Sequence, residues 1–279
     1  MALIHVVVDS TAQVSAEMLG RHDNLHVVPL KVIIGSQEWP ENLMSNSELF
    51  ALSKSKGVHP KTSQPSPGDF ISVFEPLIAA GHQVVVITLS GGLSGTVGSA
   101  QAAANMVDAK NISVVDSGTT AIGMIQMAKA ALEMAATGHN LDDIARHLAR
   151  LASLTYTMFV PNTLENLHKG GRIGGAAAMF GTILQIKPLL YLAEGKVAVL
   201  DKVRTRSRAV SRMVDELKRQ ERLAYIGVGY INCQDEAEGI ARQIMELYPG
   251  TPLVMSELGS VLGTHLGPGL IGLIYQVKN

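Results

Sequence analysis

Three short aliphatic runs, residues 3–8, 83–89 and 111–115, carry almost no polar interruption, and each leads into a stretch with helical signals. A strand lying half in water alternates apolar and polar residues, whereas an unbroken apolar strand has to be covered on both faces. Such strands, alternating with helices, define a mainly parallel sheet between helical layers.

The punctuation agrees with that layout. Asp9-Ser10-Thr11 closes the first run, Ser15 caps a short helix, and residues 25–34 read as a second extended run. A helix is predicted over 47–55. Pro65 and Pro67 exclude helix from the stretch before them and leave Thr62 and Ser63 extended, with polar groups unpaired. Pro67 then suits the first turn of a helix reaching residue 80. An alanine-rich helix follows through residue 107, and two more occupy 119–136 and 141–154.

Beyond residues 156–160 the pattern changes. A short helix over 164–168 precedes the basic glycine stretch Lys169-Gly170-Gly171-Arg172 and a helix ending near residue 186. Residues 189–193 and 197–203 flank Glu194-Gly195-Lys196 as a hairpin. A helix over 207–220, a strand over 224–232, a helix over 235–247 and a strand over 253–257 follow. The fold class is therefore α/β. Two α/β domains are expected: 1–156, with a mainly parallel sheet covered by helices, and 157–279, a smaller sheet-and-helix layer domain.

Composition narrows the function. The 279 residues carry a net charge of −1, which argues against general nucleic-acid binding, since that draws on a basic excess. One cysteine, Cys233, allows no internal disulfide, and no CxxC pair suggests zinc. The start MALIHVVVDS has no secretory pattern, and no apolar run approaches a membrane span, so the chain reads as soluble and cytoplasmic. Twelve Met, one Trp and 4% aromatics make the apolar content aliphatic. That suits an aliphatic ligand, although filling a core is the ordinary use of such residues.

Three glycine-rich stretches could carry chemistry. The loop Ser90-Gly91-Gly92-Leu93-Ser94-Gly95-Thr96 ends a strand and opens a helix, which presents backbone N–H groups to an anion. An ordinary helix cap at Ser94 is the plain alternative. The same loop imitates G-x-S-x-G, with Thr96 in place of the last glycine. A serine hydrolase acting on acyl esters through Ser94 and His265, with Asp116 as acid, is therefore the enzyme alternative. Near the end, a glycine-rich loop with Gly259, Gly263, Gly267 and Gly269 surrounds His265, whose imidazole can donate to a carboxylate. Gly267-Pro268-Gly269-Leu270-Ile271-Gly272 matches G-x-G-x-x-G but leads into a strand, and no G-x-x-x-x-G-K-[ST] occurs, so neither a dinucleotide nor an ATP site is indicated. Lys169, Arg172, Lys202, Arg204 and Arg206 form a basic cluster able to receive a phosphate or an acidic surface, or to remain solvated.

Seven stretches, taken in order, carry a resemblance. They are Val8-Asp9-Ser10-Thr11, Val28-Pro29-Leu30, Lys61-Thr62-Ser63-Gln64-Pro65-Ser66, Leu93-Ser94-Gly95-Thr96, Lys169-Gly170-Gly171-Arg172-Ile173, Lys202-Val203-Arg204-Thr205-Arg206 and Gly263-Thr264-His265-Leu266-Gly267-Pro268-Gly269. Together they resemble the DegV family over nearly the whole chain. The resemblance implies a long-chain fatty acid in a buried apolar tunnel, its carboxylate held by Thr62, Ser94 and His265, with the Gly95 N–H as a further donor. It implies no cofactor and no catalysis by this chain: a separate ATP-dependent kinase subunit would phosphorylate the bound acid, with Arg172, Arg204 and Arg206 facing that partner or the phosphate. A lipid-carrying regulator without a kinase is a third reading. The chain departs from the family at Trp39-Pro40-Glu41-Asn42, where an Asp-Gly pair is common, and at His168, where Arg is common.

Overall fold

The computed structural model describes residues 3–181 and 186–278. Its first part runs through β1 (Ile4–Asp9), α1 (Ala16–Arg21), β2 (Leu25–Val28), β3 (Lys31–Ile34), β4 (Gln37–Pro40), α2 (Asn46–Lys56), β5 (Lys61–Ser63), α3 (Pro67–Ala79), β6 (Gln83–Thr88), α4 (Thr96–Val107), β7 (Ile112–Asp116), α5 (Ile122–Ala136) and α6 (Leu141–Leu154). Strands β2, β1, β6 and β7 form a parallel sheet in that order. Successive strand residues point to opposite faces, so the complete burial of Val6, Val7 and Val8 requires cover on both sides. Val7, Val84 and Val86 pack with Phe70 of α3 and Ala103 of α4, while Val6, Val85 and Ile87 pack with Met127 of α5 and Leu148 of α6.

Local chemistry sets the helix ends. The Ser45 hydroxyl accepts the Glu48 N–H at 3.2 Å, and the Glu48 carboxylate accepts the Ser45 N–H at 2.9 Å, which starts α2. Ser66 and Asp69 repeat the device at α3, whose first residue is Pro67.

The extended run 25–34 proves to be two strands in two sheets. Pro29 has no N–H to continue a ladder, and the chain turns there. Strand β3 joins β4 and β5 in a small antiparallel sheet of order β4-β3-β5, with Val32 opposite Thr62 and Lys31 opposite Ser63. The backbone of Thr62 and Ser63 is thus paired, contrary to the expectation that it stood free.

The second part comprises β8 (Thr155–Val160), α7 (Glu165–Lys169), β9 (Lys187–Ala193), β10 (Lys196–Val203), α8 (Arg206–Leu217), β11 (Leu223–Ile231), α9 (Gln234–Leu247), β12 (Leu253–Glu257), α10 (Ser260–Leu266) and β13 (Leu270–Val277). The helix predicted up to residue 186 is a 3-10 helix at Gly174–Met179, and the rest of that prediction lies over residues 182–185, outside the described residues. The six strands follow the order β10-β9-β8-β13-β11-β12, antiparallel except for β11 with β12. One face buries Val228 and Leu273 against Met213 of α8 and Ile244 of α9. The other turns Phe159, Leu190 and Ile274 toward Ile122, Leu258 and Leu262.

Polar contacts fasten the two parts. The Asn46 amide donates to the Leu258 carbonyl at 2.6 Å, and Thr119 and Thr157 share a hydroxyl hydrogen bond at 2.8 Å. The Ser90 hydroxyl donates to the Gly195 carbonyl at 2.8 Å. The β9–β10 turn lies so close to loop 90–96 that a Cβ on Gly92 would stand 2.4 Å from the Gly195 oxygen. Since backbone is the obstacle, Gly92→Ala is expected to cost about 1–3 kcal/mol, read as a lower urea midpoint at unchanged slope. A midpoint equal to the parent's would contradict this packing.

Three histidines meet at the other end of the parallel sheet. His5 Nδ1 lies 2.9 Å from His26 Nε2, and the His5 and His82 ring centroids are 4.8 Å apart. Burial, with His26 and His82 beside it, pushes His5 from 6.5 down to about 4. An unfolded chain therefore binds a proton that the folded one refuses, and stability falls as pH drops from 6.5 toward 4. Asp9 and Glu41, pushed up by burial to about 6 and about 7, act oppositely and lose their contribution as pH rises through those values. The His5→Gln variant is accordingly expected to lose less stability than its parent over the acid window. Identical pH slopes in urea unfolding would exclude the assignment.

Candidate functional site

A cavity of about 330 Å³ lies between the C-terminal ends of the parallel strands and the inner face of the six-stranded sheet. Ligands in open α/β folds commonly settle beyond strand C-termini, and Leu30, Leu89 and Thr120, which follow β2, β6 and β7, all line this space. Its wall is chiefly aliphatic, including Leu93, Leu192, Val197 and Leu262. Among its polar residues, Thr62 hydrogen-bonds His265, and Arg172 acts on His265 and reaches the Leu93 carbonyl next to Ser94.

Each of these comes from a different element. Thr62 sits on β5, held in register by Val32. Its Oγ1 is 2.7 Å from His265 Nε2. The glycine-rich stretch 259–269, read as a loop, contains α10, with His265 in its last turn and Gly267 at φ +76° ending it. Two glycines in that stretch do more than loosen it: a Cβ on Gly259 or Gly263 would run into Gln13 and Glu41 or into Asn46. Burial, then the nearby Arg172 and His59, push His265 from 6.5 down to about 4. The ring is therefore neutral near pH 7, with Nδ1 buried and without a hydrogen-bond partner.

Ser94 occupies the turn from β6 into α4. The N–H groups of Leu93 and Ser94 donate to the Ser90 carbonyl at 3.0 and 3.1 Å, and the Asp116 carboxylate accepts from Gly91 and Gly118. The Ser94 hydroxyl pairs with Thr96 Oγ1 at 2.9 Å, and His265 pairs with Thr62. Ser94, His265 and Asp116 thus each engage other partners, and the hydrolase alternative gains no support. Gly95 does not line the cavity. It begins α4, and its missing side chain leaves room for Gln64, whose Oε1 would be 2.4 Å from a Cβ there.

The arginines expected together are dispersed. Arg172 lines the cavity and donates to the Leu93 carbonyl at 3.1 Å and the Gly170 carbonyl at 2.7 Å. Those acceptors are neutral, so its charge remains available to an anion. Arg204 lines a separate surface groove with Lys202 and Arg208, and Arg206 pairs with Glu236 at 2.7 Å. His168 stacks on Phe180, with centroids 3.8 Å apart.

The sequence reading overlooked Gln64, Thr120 and Thr157 as lining residues. Gln64 lies within a singled-out motif and could have been found there. The two threonines carry no sequence signal. Among the described residues no His, Cys, Asp or Glu cluster fits a metal, and no helix is long and apolar enough to cross a membrane. The arrangement suits an amphiphile: an anionic head beside a neutral imidazole, two hydroxyls and a guanidinium, and an aliphatic tail within the wall.

A family model described as "Uncharacterised protein, DegV family" matches residues 3–278. A DegV domain-containing protein of Listeria monocytogenes is 34% identical over 280 residues, covering 99% of each chain. Among solved structures, a DegV family protein from Thermus thermophilus, reported for its fatty acid binding, superposes with a TM-score of 0.90 at 31% identity, over 99% of this chain and 100% of that one. DegV of Bacillus subtilis, described as a fatty acid binding protein, does so with a TM-score of 0.89 at 31% identity over the whole of both chains. With a family model matched over residues 3–278 and relatives of 31–34% identity that span nearly the whole chain, this chain belongs to the DegV family.

Proposed function

We propose that this protein binds a long-chain fatty acid in the cavity and presents its carboxylate for phosphorylation by a separate ATP-dependent kinase. The observation that carries the reading is one aliphatic cavity ending among Thr62, Ser94, His265 and Arg172. Each buried methylene contributes about 0.8 kcal/mol, so a tail of a dozen contributes roughly 10 kcal/mol before ordering costs. The carboxylate, losing its water, takes hydrogen bonds from the hydroxyls, the imidazole and the guanidinium. The Thermus and Bacillus relatives, described as binding fatty acids, support the ligand class.

The kinase part rests on chemistry. Phosphoryl transfer needs an acceptor held still where a nucleotide-bearing partner can reach it, and this chain carries no phosphate-binding loop of its own. Gly95, Lys169 and Gly171, around the polar end, are exposed. Arg172 would offset the phosphate charge, and Arg204 and Arg206 would meet the partner. Residues 1–156 and 157–279 would act as two domains closing on the ligand, in the cytoplasm, where Cys233 stays reduced.

Mass spectrometry of ligand extracted from the purified protein tests the class directly. Ser94→Ala and His265→Ala are each expected to lower lipid retention tenfold or more, the worth of a hydrogen bond to a charged group at about 1.5–3 kcal/mol, with the fold intact. Unchanged lipid content in both would defeat the head-group assignment. Loaded protein with ATP alone should leave the acid unaltered, whereas added cytosol from the source cells should yield an acyl phosphate, trapped as a hydroxamate.

Binding should also take up protons. A carboxylate beside His265 raises its pKa from the ligand-free value of about 4, so at about pH 6 fatty-acid binding is accompanied by fractional proton uptake. Calorimetry in buffers of different ionisation heat reads that uptake, and His265→Asn should abolish it.

A further inference from the structure

We propose that Thr120 and Thr157 form a second polar subsite, part-way along the cavity, that selects acyl chains bearing a hydroxyl or keto oxygen on the tail. The inference rests on the fatty-acid reading and extends it to the class of acid. Five hydroxyl-bearing residues line the cavity. Four have a partner: Thr62 meets His265, Ser63 donates to the Gln64 carbonyl, Ser94 meets Thr96, and Thr157 meets Thr119. The fifth, Thr120, is 7% exposed, and its Oγ1 is buried with no hydrogen-bond partner. A buried hydroxyl left so is costly, and in an otherwise aliphatic wall a valine of the same shape would avoid the cost.

The backbone fixes this hydroxyl in place. Ala121, next in the chain, has φ 48° and ψ −118°, a conformation L residues rarely adopt, and is fully buried, so the turn is held by its surroundings. The hydrogen bond from Thr119 to Thr157 anchors the turn to β8. Gly123, at the start of α5, faces both Thr119 and Ile274. The Thr119 carbonyl accepts the Ser90 N–H at 2.8 Å, and Thr157 pairs with Ile274 of β13, so the turn sits between loop 90–96 and the wall formed by the six-stranded sheet. Thr120 can donate or accept, and the Thr157 oxygen keeps a second lone pair, so an alcohol on the ligand can accept from Thr120 and donate to Thr157, whereas a ketone accepts from Thr120 alone.

The test uses delipidated full-length protein and competition between stearic acid and a positional series of monohydroxystearic acids. At least one isomer should bind more tightly than stearic acid. Thr120→Val should lower that preference, measured as the ratio of the two affinities, about fivefold to tenfold, the worth of one neutral hydrogen bond, and Thr157→Val should shift it the same way. Proof of folding comes from an unchanged Tm. If no isomer is preferred, or if Thr120→Val alters both acids equally, as it would were the hydroxyl serving a trapped water, the subsite is wrong. If neither acid binds, the fatty-acid reading itself has failed.

Discussion

The geometry of the polar end depends on how one short segment, Leu258 to His265, is tied down. The Asn46 amide takes the Leu258 carbonyl, the buried Glu41 carboxylate accepts the Val261 N–H at 3.2 Å, and Thr62 meets His265. All three partners lie between residues 41 and 62, on the small sheet and the helix beside it. Buried polar atoms tolerate few alternatives to their partners, so these bonds admit one seating of α10. Burial pushes the Glu41 carboxyl up to about 7, so near neutrality the interior carries its charge only part of the time. The hydrogen bonds that place the imidazole thereby also close one wall of the cavity.

The electrostatic character of the polar end follows from what surrounds each group. His265 stays neutral because it is buried beside a cation, and the hydrogen bonds of Arg172 among the described residues go to carbonyls. An anion is the one ligand that both groups welcome. Apart from Ser63, Gln64, Thr120 and Thr157, the described remainder of the wall is apolar and carries no charged side chain to meet a second charge.

Much of this was readable beforehand. Unbroken apolar runs announced the parallel sheet, because double-sided cover leaves no room for alternation, and Ser15 and Pro67 marked helix starts through local chemistry. Pro29 was visible, yet its effect was not: whether a proline bends one strand or hands the chain to another sheet is decided by distant partners, here β5. The same holds for α10, where glycines suggested a loop although they are there to let Gln13, Glu41 and Asn46 approach. Thr62, Ser94 and His265 were found through motif order, and all three line the cavity. Arg204 and Arg206 sit close to Arg172 in motif order and not in space, since β10 carries them to another surface. Thr120 and Thr157 could not be read at all, for a threonine in an apolar stretch looks like any other strand or turn residue until its neighbours are known.

The order of strands in the larger sheet has a consequence for how the molecule is made. β13 lies between β8 and β11, although it follows every other strand of that sheet in the chain. During synthesis the earlier strands emerge without their central neighbour, and the chamber lacks the floor that Leu270, Gly272 and Ile274 provide. The compartment therefore closes only when the last strand of the sheet is in place, so it belongs to the finished fold and to no shorter stretch of the emerging chain.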